Sequence, residues 1–296
     1  MKTVQRPILR YHGGKWKLAT WIIQHLPPHH TYVEPYGGAA SVLLRKARSP
    51  AEIYNDLDGE LVNLFRVVRD RGHELRTLLE LTPFAREEFV ASYDDSTDAL
   101  ERARRMVLRS FQGFASSAAS GERTGFRSTS SRSGTSPAHD WRHYPATLTA
   151  IIDRLQGVVL EHRDAISLLG NHDRPNTLYY VDPPYVHSTR SNKVRHNDTG
   201  KSYRHELSDQ QHSELALHLK ELQGMVVLSG YPSHLYDELY GTWYRVSRHT
   251  HADGARDRVE CLWLNTAAFE GLSQHDFFHR PDSSQAFSHK ASAAQR

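Results

Sequence analysis

The chain has 296 residues, 38% hydrophobic and 24% charged, a balance ordinary for a globular protein with a full core. No apolar run approaches the roughly 18 residues of a membrane-spanning helix, and residues 1–7 lack the apolar stretch of a secretory leader. Cys261 is the single cysteine, which excludes an internal disulfide and a thiolate zinc cluster; a reducing, cytoplasmic compartment is expected.

In chain order, the first expected helix covers residues 15–26 and ends at Pro27 and Pro28. A strand follows over residues 31–34, then a glycine turn at Gly37 and Gly38, and a helix over residues 39–46. Residues 51–54 read as a second strand. Asp56 then opens an amphipathic helix with Leu57, Leu61, Leu64 and Val68 on one face. Strand, glycine turn, helix and strand form the grammar of an α/β nucleotide-binding half.

The character changes from about residue 69 to residue 148. Charged helical segments run to about Arg109, and residues 110–136 then hold nine serines, three threonines and four glycines, too polar to build a core. This region is read as an inserted module with a mobile basic loop, residues 121–127, at its tip. The net charge of +3 conceals its chemistry. Between Arg102 and Arg142, eight arginines stand against Glu122 and Asp140, an excess suited either to a phosphate backbone or to a solvated basic face.

The α/β pattern resumes with strands at residues 158–161, 178–181 and 225–229. Ser208 and Gln211 form a capping box for a helix that buries Leu215, Leu219 and Leu222. Residues 243–248 and 259–264 are expected as a closing antiparallel pair. The division expected is therefore 1–68 and 149–270 as two parts of one catalytic domain, 69–148 as the insertion, and 271–296 as a polar tail.

Four motifs carry chemistry. Asp182, Pro183, Pro184 and Tyr185 follow a strand directly, at the edge where open α/β sheets bind ligands. A carboxylate and the Pro183 carbonyl can accept both N–H groups of an exocyclic amine, which keeps the nitrogen lone pair available for attack on a methyl sulfonium. The ring of Tyr185 offers a stacking face for a base taken out of a duplex. Glu34, Tyr36, Gly37 and Gly38 form a second motif, where glycines admit close backbone approach. Asp56, after the second strand, is placed to grip ribose hydroxyls or to cap a helix. Tyr11, Gly13, Gly14 and Lys15 place a cation at a glycine turn, without the spacing of a P-loop.

In this order the four motifs resemble those of the Dam-type DNA adenine-N6 methyltransferases. The resemblance spans roughly residues 8–266, with the insertion only weakly alike, and includes Asp164 and the segment 259–265. It departs from the family at Tyr11, where tryptophan is common, and at Ala40, where glycine is common. The fold it implies is α/β, a Rossmann-like, mainly parallel three-layer sheet with an inserted, largely helical DNA-recognition module. The cofactor implied is S-adenosylmethionine, with Tyr11, Gly13, Lys15, Asp56 and Asp182 at or beside it. Glu34, Tyr36 and Gly38 would lie along its methionine part and Asp164 near its adenine ring. The partner implied is double-stranded DNA, with direct transfer to a flipped adenine. Arg109, Arg123, Arg127 and Arg132 of the insertion, with Arg190, Lys193 and Lys201 after the catalytic tetrapeptide, are the candidate DNA contacts.

No metal is expected. His29 with His30, and His249 with His251, lack carboxylate or cysteine partners at ligand spacing, and read better as surface histidines near DNA. A monomer is expected. The rival readings are a methyltransferase acting on RNA or another amino nitrogen, and a DNA-binding protein of this fold without catalysis.

Overall fold

The structure, a computed structural model, describes residues 3–114, 123–128, 136–189, 205–252 and 256–279. Seven strands form one sheet in the order β3-β2-β1-β4-β5-β7-β6. They are β1 (Thr31–Glu34), β2 (Ala51–Asn55), β3 (Val158–Glu161), β4 (Thr177–Val181), β5 (Met225–Gly230), β6 (Tyr244–Ala252) and β7 (Arg256–Leu264). β3, β2, β1, β4 and β5 are parallel, and β7 pairs antiparallel with both β5 and β6. β4 and β5, buried on both faces, read as continuous apolar runs, as parallel strands covered by helices must.

One face of the sheet is covered by α1 (Ala19–Ile23), α2 (Gly59–Leu81), α4 (Ala99–Gln112), α5 (Pro137–Leu155) and α9 (Thr266–His279), which contribute to one apolar cluster. The short α3 (Arg86–Ala91) packs beside α4. The other face buries Leu168 and Leu169 of α6 (Ala165–Asn171), Leu215 and Leu219 of α7 (Asp209–Glu221), and Tyr236 and Tyr240 of α8 (His234–Tyr240). The expected Rossmann-like three-layer architecture is the observed one.

The expected division of the chain meets the geometry in a specific way. Residues 68 and 69 lie inside α2, and residues 148 and 149 inside α5. Leu75, Met106, Phe111 and Tyr144 of the insertion share their apolar cluster with Tyr32 and Tyr54 of the sheet. The helices of the insertion are thus continuous with the sheet's own cover.

Several local expectations are corrected. The first helix is confined to Ala19–Ile23, because Lys15 turns its side chain inward and the chain before Leu18 closes in turns. Residues 39–46 form irregular turns instead of a helix. Ala40 has φ +51°, and the Leu43 N–H, which a helix would use internally, donates to the Glu34 carboxylate at 2.8 Å. Asp58, not Asp56, caps α2, and Leu57 lies before that helix and is 46% exposed. Residues 271–279 continue α9, which Asn265 starts by accepting the Ala268 N–H; Ala267, Ala268 and Leu272 pack on the core. Residues 280–296 lie outside the described residues. The capping box at Ser208 and Gln211 forms as expected.

The basic cluster is changed most. Arg102 pairs with Glu60, Arg104 with Glu88 and Glu101, and Arg105 with Glu101. These acids come from α2, α3 and the start of α4, outside the stretch in which the excess was counted. Part of the expected phosphate-binding charge is therefore spent in holding helices together. The segment 123–128, expected within a mobile loop, is docked on α4: Phe114 N–H donates to Gly125 and Arg127 N–H to Gln112, while Phe126 packs its ring on Phe84 and Phe89.

Candidate functional site at the switch point of the sheet

From β1 the chain winds to β2 and β3 on one side, and later to β4 and β5 on the other. The strand order therefore reverses between β1 and β4, and the loops that leave their carboxyl ends diverge to open a crevice. A cavity of about 480 Å³ lies there, within the ~300–1,000 Å³ usual for small-molecule sites.

The structure brings Tyr11, Gly13, Lys15, Glu34, Tyr36, Gly38, Asp56, Asp164, Asp182 and Pro184 together around this cavity. Pro183 and Tyr185 do not line it. Tyr185 is 7% exposed, and the Lys15 ammonium lies 4.6 Å from its ring centre, so the ring is packed into the wall instead of presenting an open stacking face. Of the expected DNA contacts, Arg109 donates to the Ser92 carbonyl and lies over the Tyr93 ring, Arg123 lies over the same ring, and Arg127 donates to the Phe111 carbonyl. Arg132, Arg190, Lys193 and Lys201 lie outside the described residues.

Each acid in the cavity is held by a short local device. Glu34, the last residue of β1, accepts from the Tyr32 hydroxyl at 2.6 Å and from Leu43 N–H at 2.8 Å. Burial outweighs these bonds and pushes its carboxyl up to about 7. Asp56 accepts the Gly38 N–H through Oδ2 and the Asp58 N–H through Oδ1, both at 2.8 Å, which ties the glycine turn to the end of β2. Its carboxyl is pushed up to about 6, again by burial. A Cβ at Gly37 would stand 2.2 Å from the Tyr54 ring, so only glycine admits the turn to this depth. Asp164 caps α6 by accepting the Ser167 N–H at 3.0 Å.

Asp182 follows the last residue of β4. Its Oδ2 pairs with Lys15 Nζ at 3.0 Å, and Lys15 also donates to the Gly13 carbonyl at 2.8 Å. The other oxygen, Oδ1, is buried, with the Tyr185 and Ser229 hydroxyls close to the carboxylate. Burial raises the carboxyl above the usual aspartate range, opposed by Lys15 and by these two hydroxyls.

Three groups had no site role in the sequence reading. Asn55 braces the rim, with its amide donating to the Pro35 and Arg163 carbonyls and its oxygen accepting from Arg163 N–H. Tyr180, His205 and Gln211 also line the cavity. Glu260, from β7, accepts the Tyr185 hydroxyl behind the tetrapeptide. Its signal was present: a carboxylate in the alternation that places Leu262 and Leu264 on a buried face. His29 bonds Pro27 and Ser49 at the amino-terminal edge of the strands, away from the cavity, and is partly buried, not the surface histidine expected. Among the described residues, no group of three or more histidine, cysteine, aspartate or glutamate side chains is placed to hold a metal ion, and no helix is long and apolar enough to cross a membrane.

A mainly parallel sheet with an antiparallel β5-β7-β6 edge, a cavity at its switch point and Asp-Pro-Pro-Tyr beside it defines a Rossmann-like methyltransferase fold. Comparison with known proteins gives the same class. The model of the D12 class N6 adenine-specific DNA methyltransferases matches residues 11–251, and the chain belongs to that family. It is similar to the DNA adenine methylase of Serratia marcescens, 31% identical over 107 residues, which are 35% of this chain and 39% of that protein. It is 38% identical over 69 residues to the DNA adenine methylase of Escherichia coli K12, covering 23% of this chain and 24% of the relative. Over 74 residues it is 28% identical to the DNA N-6-adenine-methyltransferase of Escherichia phage P1, 25% of this chain and 10% of that one. The matched stretches thus span about two fifths or less of these relatives' lengths.

Proposed function

We propose that the chain methylates the N6 of an adenine flipped out of double-stranded DNA, using S-adenosylmethionine. The observation that carries this reading is the placement of Asp182: it stands just past the end of β4 on the cavity wall, with its carboxylate clamped by Lys15 at 3.0 Å.

The residues present fit the cofactor. Asp56 offers carboxylate oxygens to ribose hydroxyls, and the Gly37–Gly38 turn lets a ligand approach the backbone; Tyr36 lines the cavity beside the methionine part and Asp164 beside the adenine ring in this reading. When bound, S-adenosylmethionine supplies a methyl group carried on a positively charged sulfur. The chain's own contribution is to hold the amine. The Asp182 carboxylate accepts one of its hydrogens and the Pro183 carbonyl, once the base reaches past the cavity lining, the other, hindering the lone pair from delocalising into the ring. Lys15 fixes the carboxylate's orientation and favours its charged form, so that Asp182 stands ready to take a proton from the amine. Enclosure by Tyr180 and the Tyr185 wall excludes water.

Residues 69–148 serve target recognition in this reading, with Arg123, Arg132 and the segment containing Arg190, Lys193 and Lys201 as the DNA-facing charges and Arg109 and Arg127 as supports of that surface. The protein acts in the cytoplasm as a monomer. Incubation of the full chain with methyl-labelled S-adenosylmethionine and duplex DNA, followed by nucleoside analysis, tests the proposal. N6-methyladenine is expected. A methylated RNA base as the only product, or DNA binding without any product, overturns it.

A further inference from the structure

β7 carries a carboxylate where its alternation asks for an apolar side chain. Glu260, Leu262 and Leu264 share one face of the strand and all are buried, Glu260 to 5% exposure. A carboxylate removed from water is costly unless hydrogen bonds or an opposite charge compensate it. Glu260 is compensated by the nearby Lys15 cation and by the tetrapeptide, whose Tyr185 hydroxyl donates to Oε2 at 3.0 Å, with Oε1 at 3.3 Å. Two residues earlier on the same face, Arg258 donates to the Tyr231 hydroxyl at 3.0 Å. Tyr231 in turn stands edge-on to Tyr185, ring centres 4.5 Å apart. Lys15 covers a face of the Tyr185 ring while gripping Asp182. Tyr185 is therefore fixed at its hydroxyl, at its edge and over its face by three separate parts of the chain.

Glu260 does not line the cavity; it reaches the site through the Tyr185 hydroxyl and through its charge near Lys15 and Asp182. Between Tyr185 and Asp182 stand two prolines, whose rings lock φ and leave little slack to absorb a displacement. A shift at the tyrosine is transmitted to the aspartate. We infer that Glu260 is a positioning residue for the proposed transfer: by holding the Tyr185 hydroxyl it sets the turn from Asp182 to Tyr185, and with it the aim of the Asp182 carboxylate. This rests on the function proposed above.

The test uses the full chain with duplex DNA and S-adenosylmethionine. Glu260→Ala lowers kcat on the order of 10²-fold, as misplacement by about an ångström does, with KM for both substrates within about threefold of wild type. Glu260→Gln, which keeps an oxygen acceptor for the hydroxyl, restores kcat to within about fivefold of wild type. Tyr185→Phe lowers kcat at least as much as Glu260→Ala, because its hydroxyl also meets Ser229 and lies beside Asp182, and the double variant is no worse than Tyr185→Phe alone. Full kcat in Tyr185→Phe, or losses that multiply in the double variant, overturns the inference, and the first outcome decides even if Glu260→Ala does not fold. A readout without substrates separates this inference from the reading beneath it. The fluorine resonance of a fluorotyrosine introduced at Tyr185 moves in Glu260→Ala and holds in Glu260→Gln. An unmoved resonance overturns the positioning role whatever the activity. A moved resonance in a protein that transfers no methyl group overturns the proposed function alone.

Discussion

The rim of the cavity and the helical region between β2 and β3 use the same residue types to opposite ends. At the rim, Asp56, Asp164 and Asp182 sit just past strand ends, where a short turn fixes each carboxylate without a long side chain to order. In the helical region, the charges lie on long arginines whose partners are chosen by packing. Arg102 reaches Glu60, 42 residues earlier in the chain, and Arg104 reaches Glu88. A strand end delivers a side chain to a fixed place from local sequence. A helix surface delivers it only once the neighbouring helix is known. Short acids after strands therefore report on function, while runs of arginine report first on helix packing.

The sharpest way to break this comparison is at Asp182. Asp182→Ala should lower methyl transfer by on the order of 10²–10³-fold or more while thermal unfolding stays cooperative, because an interaction made to the reacting amine is lost. Activity near wild type in a folded variant would show that the strand-end acid is merely structural.

Asp56→Ala is expected to weaken cofactor binding by about tenfold or more, the scale of losing a charged hydrogen-bond acceptor, with kcat at saturation little changed; calorimetric titration separates the two. For the contrasting region, Arg104→Ala should cost about 2 kcal/mol of stability by loss of charge-assisted bonds to Glu88 and Glu101, yet change DNA affinity less than about twofold. A large loss of DNA affinity with unchanged stability would return Arg104 to the phosphate-binding surface.

The smallest effect is on pH dependence. Asp56 and Glu34 have folded-state values raised to about 6 and about 7, so the folded protein binds protons more tightly than the unfolded chain. Their contribution to the stability of the cofactor-free protein is therefore full below pH ~4 and is lost as pH rises through about 6 and about 7. Denaturation midpoints measured across this window should fall with rising pH, and Asp56→Asn with Glu34→Gln should flatten the slope. The same sign applies to activity in reverse: Asp182 acts as an acceptor only when ionised, and its raised value means that transfer fails at a higher pH than for an exposed aspartate as the solution is acidified.

All seven strands were legible to within a few residues, because alternation and apolar runs are local signals that burial on a sheet enforces. The glycine turns and the four motifs were legible for the same reason: strand, turn and acid are contiguous. Helix residues 39–46 were misread because Ala40 takes a positive φ and Glu34 captures the Leu43 N–H, a contact between segments that local propensity cannot register. Leu57 was misread because Asp58, one residue later, supplies the cap, and α2 starts after it.

The linear order of residues determined the strands, their direction, the acids at their ends and the chemistry those acids can perform, since each depends on neighbours a few positions apart. Tertiary structure alone decided which charges remain open to a ligand and which are consumed in packing. It paired Lys15 with Asp182 across 167 positions and set Glu260 behind Tyr185, while removing Arg102, Arg104 and Arg105 from the basic surface. The physical reason is that a charge acts over a few ångströms, and the distance between two side chains far apart in the chain is fixed only when the sheet and its helices close around a common core.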